Sequence, residues 1–220
     1  MLCICLVGYT VFAFNQTIES AFTGHGHINY LDSLVQQLKK REGVVYLKRL
    51  TILMDETSDK GTGLVSPPAP SLSQCPLFLH FDDEYEQTKN NETLLQTYDI
   101  LSLHPTSSTA FSAACLTHSP PSTLTTHIIS LPLTLPRMPF FFKHTLVRMA
   151  IKNGAVFEVA YSPAVGGAGD SERRNWWANV RELTRVTKGK GVIFSSGSSG
   201  VGDVRAPGDV VNMWVWTIGP

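Results

Sequence analysis

The feature that most constrains the fold is a regular alternation of strand-like and helix-like segments along the 220 residues. The strand-like segments are short, apolar and rich in branched side chains, and segments with apolar residues at helical spacing separate them. Parallel strands need crossover helices of this kind, so the alternation predicts a parallel α/β protein. The predicted strands cover residues 10–14, 44–54, 98–104, 127–133, 155–162 and 192–196.

Helices are predicted between these strands from apolar spacing, caps and stop signals. The longest begins at Asp170 or Ser171 and carries Trp176, Val180 and Leu183 on one face. The other predicted helices cover residues 30–41, 106–117 and 143–152, and a last one opens near Pro207.

The predicted strands carry polar residues on one face and apolar residues on the other. This pattern predicts a (β/α) barrel whose apolar outer face meets the helices, in one domain over residues 1–220. A doubly wound sheet is the alternative, and a closed barrel of eight strands needs more chain than these six supply. The polar positions are Thr51, Ser102, His104, Ser130, Glu158 and Ser162.

Residues 56–97 interrupt the alternation with a Pro- and Ser-rich stretch and an acidic, polar one. We expect a surface insertion here that is partly disordered. The formal net charge of the whole chain is zero, but Asp55 to Asp99 holds nine acids against two bases, a local net of −7. Arg137 to Lys190 holds ten bases against four acids, a local net of +6. By itself such an excess is more typical of a solvated helical face, with a surface for a polyanionic partner as the alternative.

The apolar start of the chain and its cysteines argue against several classes of protein. The start lacks the basic region and cleavage site of a signal peptide and is too short for a membrane span, so no membrane partner is expected. The four cysteines contain no CxxC pair, which predicts reduced thiols rather than a disulfide framework or a zinc ribbon.

A metal site is suggested by His25 and His27 in "TGHGHIN", with Asp55 and His104 at strand ends. The other strands end without a further His pair or an acid–His pair, so we expect no metal, no cofactor and no catalytic residue. A metal-dependent phosphoesterase on the same barrel is the alternative hypothesis. The stretch "SSGSSGVG" fits either a phosphate cradle or, with better support, a flexible loop, because it lacks the P-loop pattern.

Basic residues at helical spacing form two stripes in the second half of the chain. Arg174, Arg181, Arg185 and Lys188 share one side of the longest predicted helix. His144, Arg148 and Lys152 stack on the preceding helix. Together they predict an electropositive surface for RNA or another acidic partner.

The same region contains, in order, "RMPFFFKHTLVRMAIKNGAVFEVAYSPAV", "RRNWWANVRELTRVTKGKGVIFSSGS" and "DVRAPGDVVNM". Upstream lie "VGYTVFAFNQTI", "LKRLTILMDE" and "YDILSLHPTSSTAFSAAC". In this order the pieces closely resemble the thirty-kilodalton protein subunit family of nuclear ribonuclease P and ribonuclease MRP, in its fungal-type form. The family has a further strand and helix before Leu2 and continues beyond Pro220, so the resemblance implies truncation at both ends.

The resemblance implies an incomplete (TIM-like) barrel related to the polymerase-and-histidinol-phosphatase hydrolases, without their metal-binding histidines. It implies a non-catalytic, RNA-binding subunit that acts in precursor tRNA 5′-leader removal and rRNA processing. The implied partners are ribonuclease P RNA, MRP RNA, precursor tRNA and other protein subunits, including a small α/β one. The implied location is the nucleus and nucleolus.

The resemblance also implies which cations face RNA, because basic side chains on loops and helix surfaces reach backbone phosphates. Glu158 is expected to hold the barrel interior through hydrogen bonds rather than to do chemistry. The aromatic run 140–142 is expected to pack or to touch a partner, with stacking on RNA bases as the less favoured alternative. The expected RNA-facing residues are Lys48, Arg49, Lys143, Arg148, Arg173, Arg174, Lys188, Lys190 and Arg205.

Overall fold

The computed structural model describes residues 8–19, 27–56, 93–121, 125–166, 169–198 and 200–218. In these ranges the strands and helices alternate as expected, with one 3-10 turn at Val201–Asp203. The strands are β1 (Val11–Ile18), β2 (Val45–Met54), β3 (Ile100–Pro105), β4 (Ile128–Ser130), β5 (Val156–Ala160) and β6 (Val192–Ser195). The helices are α1 (Tyr30–Gln37), α2 (Ser108–Leu116), α3 (His144–Lys152), α4 (Ser162–Val165), α5 (Asp170–Thr187) and α6 (Pro207–Ile218).

The six strands form one parallel sheet in the order β1-β2-β3-β4-β5-β6. Each crossover therefore moves one strand further in the same direction, and since such crossovers share one hand, all the helices lie on one face. A doubly wound sheet reverses its strand order at a switch point, and this sheet has no reversal. The predicted barrel is confirmed as an incomplete one, a half-barrel with helices outside.

The core lies between the outer face of the sheet and the helices. Ile52, Leu103 and Phe157 project from the strands into it, and Trp176 and Val180 meet them from α5. The inner face of the sheet carries the polar side chains of the strands, as the alternation of side chains predicts, together with apolar ones such as Leu53 and Ile128. Paired positions such as Thr51 with Ser102, and Ser130 with Glu158, carry the polar groups across adjacent strands.

Several predicted bounds differ from the observed ones, for local reasons. Strand β1 continues to Ile18 because the Thr51 Oγ1 hydroxyl donates to Asn15 Oδ1 (2.6 Å), which makes a polar stretch compatible with a strand. Strand β4 is only three residues long and ends before Pro132, which has no N–H to donate. Ser162 lies outside β5 and begins α4, where Pro163 suits the first turn of a helix.

The proposed surface insertion lies mostly outside the described residues, which resume at residue 93. Residues 93–95 form a helical turn in which Leu95 is buried. Leu95 is therefore packed against the core, whereas Thr93, Gln96 and Thr97 are exposed. That residues 56–97 form one surface insertion stays a prediction. Cys115 is buried, and burial raises the pKa of its thiol to about 12.

Candidate nucleic-acid interface

Four of the expected RNA-facing residues lie at the carboxyl edge of the sheet, where the loops after the strands meet the starts of the helices. Lys143 precedes α3 after β4, Arg173 and Arg174 lie in the first turns of α5 after β5, and Arg205 precedes α6 after β6. All four side chains are exposed. In a barrel of parallel strands this edge carries the variable loops that bind ligands.

The loop between β4 and α3 is attached to α5 by two asparagines. Asn179 Nδ2 donates to the carbonyl of Leu133 at 2.8 Å and to that of Leu135 at 3.1 Å. Asn175 Nδ2 donates to the carbonyl of Thr134 at 3.2 Å. These bonds bring the loop that leads to Lys143 alongside the helix that carries Arg173 and Arg174.

The cations of this edge are held by weak or backbone contacts, which leaves their charge available. Arg174 Nε donates to the carbonyl of Asp170 at 3.3 Å, and Arg173 Nη1 lies 3.9 Å from Asp170 Oδ1. The backbone N–H of Arg205 donates to the hydroxyl of buried Tyr161 at 3.2 Å, which fixes the chain but not the guanidinium. Such side chains suit contacts with phosphate oxygens.

Lys188 and Lys190 lie at the opposite end of the molecule. They follow α5, whose 18 residues span about 27 Å at the usual helical rise. Lys188 caps this helix in the left-handed conformation (φ 55°), and Gly189 and Gly191 also have positive φ. The "KGKG" run is therefore the turn that joins α5 to β6, and its lysines are not in the same cluster as Lys143 and Arg205.

Arg148 lies on the exposed face of α3, but the stripe on neighbouring α5 is partly neutralised. Arg185 Nε and Nη2 donate to both carboxylate oxygens of Glu182, at 2.9 and 2.7 Å. These bonds hold the pKa of Glu182 below its usual value against the opposing effect of burial, and the charge of His144 adds to the lowering. The two predicted stripes are thus adjacent but carry an acid between them.

Lys48 and Arg49 are engaged within the protein. Lys48 Nζ lies 2.8 Å from Asp32 Oδ1 on α1, on the helix-covered side of the sheet. Arg49 lies on the inner face, where its side chain is only 11% exposed and pairs with Glu158. Contact of these two residues with RNA stays a prediction, and the geometry disfavours it because both charges already have acidic partners.

The inner face holds a hydrogen-bonded polar cluster around Glu158. Arg49 Nη2 donates to Glu158 Oε2 at 2.6 Å and to Ser102 Oγ at 2.8 Å, and Nη1 donates to Glu158 Oε1. Burial alone would raise the pKa of Glu158, but Arg49, with Ser195 and Ser130, outweighs it and holds the pKa below its usual value. The carboxylate stays ionised and paired, so the expected structural role of Glu158 is confirmed.

The histidine pair does not assemble a metal centre in the described part of the chain. His27 Nε2 lies 2.8 Å from the Tyr98 hydroxyl, and that hydroxyl donates to Gln16 Oε1 at 3.1 Å. Through Tyr98, His27 therefore connects the segment that precedes α1 to β1. His25 lies outside the described residues. Within the ranges that can be described, no three His, Cys, Asp or Glu side chains gather as a metal group.

The Gly- and Ser-rich loop after β6 surrounds an acid. A Cβ placed on Gly166 or Gly200 would lie 3.7 Å from a carboxylate oxygen of Asp203, and Ser198 Oγ donates to the carbonyl of Gly200 at 2.6 Å. A carboxylate at this position repels phosphate, which disfavours the cradle interpretation.

None of the helices in the described ranges has the length and apolar character of a membrane span.

The chain matches a known protein family over most of its length. A sequence model of the RNase P subunit p30 family matches residues 77–219, about two thirds of the chain. The chain belongs to this family. The match takes in β3 to β6 and all four cations of the carboxyl edge, whereas β1 and β2 precede it.

The chain is also similar to three curated proteins, two of which are named as ribonuclease P subunits. The chain is 34% identical over 119 residues to ribonuclease P protein subunit p30 of Mus musculus, covering 54% of this chain and 41% of the mouse protein. It is 31% identical over 127 residues to probable ribonuclease P protein subunit 3 of Schizosaccharomyces pombe, covering 58% and 50%. It is 33% identical over 128 residues to protein GAMETOPHYTE DEFECTIVE 1 of Arabidopsis thaliana, covering 58% and 20%. The chain thus spans half or less of these relatives.

A solved structure supports the fold over the whole chain, including the strands that precede the family match. One chain in the cryo-EM structure of archaeal ribonuclease P with mature tRNA superposes with a TM-score of 0.62 and 13% sequence identity. The superposition covers 100% of this chain and 79% of the archaeal one. Arg137, which is exposed at the carboxyl edge, was not predicted to face RNA, although it lies in an acid-free stretch from Leu131 to Phe157. Phe141 of the predicted aromatic run 140–142 is exposed at the same edge.

Proposed function

We propose that the protein is a non-catalytic, RNA-binding subunit of a ribonuclease P ribonucleoprotein that removes 5′ leaders from precursor tRNA. The same role in the related MRP particle, in rRNA processing, belongs to the proposal. Membership of the RNase P subunit p30 family supports it, as do the ribonuclease P names of the mouse and fission yeast relatives.

The observation that carries the proposal is the cationic carboxyl edge, which we define as Lys143, Arg173, Arg174 and Arg205. These four exposed cations come from three successive loops and lie within the family match. Exposed cations on loops and helix starts contact phosphates without reading bases, and this suits a subunit that positions RNA.

A non-catalytic role is supported by the chemistry of the inner face. Its carboxylate is held ionised by Arg49, so it is paired rather than poised to move a proton near neutral pH. The metal-dependent phosphoesterase is the weaker alternative, since the described histidine of its pair is hydrogen-bonded to Tyr98. The proposed partners are ribonuclease P RNA, MRP RNA, precursor tRNA and other subunits, including a small α/β one, in the nucleus and nucleolus.

The proposal is tested by tagging the protein in its own cells, purifying it gently and assaying 5′ cleavage of a precursor tRNA. We expect cleavage that disappears when the eluate is first treated with a nuclease that destroys the co-purifying RNA. An eluate that contains no such RNA, or one whose cleavage survives nuclease and needs His27, would overturn the proposal.

Two matched variants test the contribution of the cationic carboxyl edge. The first replaces Lys143, Arg174 and Arg205 by Gln, and the second replaces three exposed cations that follow α1: Lys39, Lys40 and Arg41. Both remove the same charge. Each lost phosphate contact reduces the slope of log affinity against log salt by roughly 0.7–0.9. We expect the first variant to lose co-purifying RNA and the second to keep it.

A further inference from the structure

Phe141 is the exposed member of an aromatic run whose other two members are buried. The Phe140 ring stacks on Phe111, with centroids 4.4 Å apart and planes 7° from parallel. The Phe142 ring meets both of them edge-on, with centroids 5.9 Å away in each case. With both neighbouring rings anchored in the core, the Phe141 ring is the one that faces solvent.

The Phe141 side chain is 80% exposed, more than any other large apolar side chain of the described residues. Its backbone is nevertheless fixed: the Lys143 N–H donates to the Phe141 carbonyl at 3.0 Å, directly before α3 begins. The loop leading to it is bonded to α5 through Asn175 and Asn179. A ring presented to solvent on a rigid support loses little conformational entropy when it binds a partner.

The stretch of sequence that carries this ring holds charges of one sign. From Leu131 to Phe157 the chain contains four lysines or arginines and no acid. Arg137 and Lys143 flank Phe141, are exposed, and form no ion pair with any described residue. An apolar ring between cations is complementary to a nucleotide, which offers an aromatic face and a phosphate together.

We infer that Phe141 stacks on an unpaired RNA base while Lys143 and Arg137 contact the adjoining phosphates. The inference rests on the proposed function and specifies its partner as single-stranded RNA at one nucleotide. RNA is favoured over a protein partner because the stretch from Leu131 to Phe157 carries only basic charges, whereas the centre of a protein interface is depleted in charge. Stacking on one aromatic side chain is worth about 1–3 kcal/mol per base.

The test uses the purified full chain and two fluorescent probes: a single-stranded RNA twelve-mer without self-complementarity, and the duplex of the same sequence. Affinity is measured by anisotropy for Phe141→Ala, Phe141→Leu and Phe141→Trp. Tyr30→Ala is the matched control, since Tyr30 is 64% exposed on α1, outside the cationic stretch. Circular dichroism checks that each variant is folded.

We expect Phe141→Ala and Phe141→Leu to weaken single-strand binding by about 5- to 150-fold, while Phe141→Trp and Tyr30→Ala retain it. Duplex binding should not change, because paired bases offer no free face. If Phe141→Ala and the wild type bound the single strand with equal affinity, the stacking inference would be overturned, while RNA binding by the protein would stand. If that variant also lost other subunits when the native particle was purified, the ring would belong to a protein interface. A wild-type chain that bound neither probe at low salt would instead overturn the proposed function itself.

Discussion

Arg49 and Glu158 lie 109 positions apart in the sequence and form a bidentate ion pair across the inner face of the half-barrel. Arg49 is on β2 and Glu158 on β5, so β3 and β4 lie between them. On a flat sheet these strands would be about 14 Å apart and their side chains would stand side by side without meeting. The pair therefore depends on the curvature of the sheet, and it stabilises that curvature in return.

Replacing one member of this pair should be strongly destabilising. Glu158→Gln leaves the Arg49 charge buried without its counter-ion, which costs about 3–5 kcal/mol of unfolding free energy. The double variant Arg49→Met, Glu158→Leu should recover much of the loss, since an apolar pair of similar volume has no charge to desolvate. Urea denaturation of both variants and the wild type measures this. Equal stability of Glu158→Gln and wild type would contradict the structural role.

Acid should destabilise the protein partly through His104. Burial lowers the pKa of this imidazole, the Glu158 charge opposes the shift and the Arg49 charge adds to it. In the unfolded chain His104 binds a proton near pH 6.5, whereas in the folded chain it binds one only at lower pH. The free energy of unfolding therefore decreases as the pH falls below about 6.5. We expect His104→Gln to show a smaller loss of stability than wild type between pH 7 and 5, measured by urea denaturation at each pH. Parallel pH curves for the two proteins would refute this.

Alanine substitutions at three glycines with positive φ distinguish the cost of backbone strain from the cost of steric contact. A Cβ on Gly197 would lie 2.5 Å from the Ala160 Cβ, and one on Gly191 would lie 2.8 Å from Ile151 Cγ1, whereas Gly154 has open space. Gly154→Ala should therefore cost only about 1–2 kcal/mol for the left-handed conformation. Gly197→Ala should cost about 1–3 kcal/mol more from overpacking. Thermal unfolding ranks the variants, and a Gly197→Ala protein as stable as Gly154→Ala would disprove the contact.

Two substitutions at Lys188 distinguish the effect of its charge from the effect of its left-handed backbone conformation. Lys188→Gly should raise stability by about 1 kcal/mol, because glycine adopts the left-handed cap without strain. Lys188→Ala removes the same charge and keeps the strained conformation. The two variants should bind RNA equally if only the charge matters there, and calorimetry beside a binding assay distinguishes the effects. A Gly variant no more stable than the Ala variant would contradict the capping argument.

The elements were predictable from sequence because their signals are local. Side-chain periodicity identified all six strands, and the core face of α5 at Trp176, Val180 and Leu183 is confirmed as buried. The three-residue length of β4 and the short α4 were not foreseen. Strand β4 ends before Pro132, and α4 begins with Pro163 in its first turn. Side-chain periodicity does not register either effect, because both depend on the backbone conformation and the missing N–H of proline.

The sequence by itself determined the parallel α/β order, the polar inner face and the family, since periodicity and motif order are properties of the chain alone. Only the tertiary structure decided which cations share a surface. Lys143 and Arg205 lie at the carboxyl edge, Lys188 lies about 27 Å away along α5, and Arg49 is enclosed with Glu158. Residue spacing cannot separate these cases, because the surface on which a charge lies depends on the direction and curvature of strands far apart in the sequence.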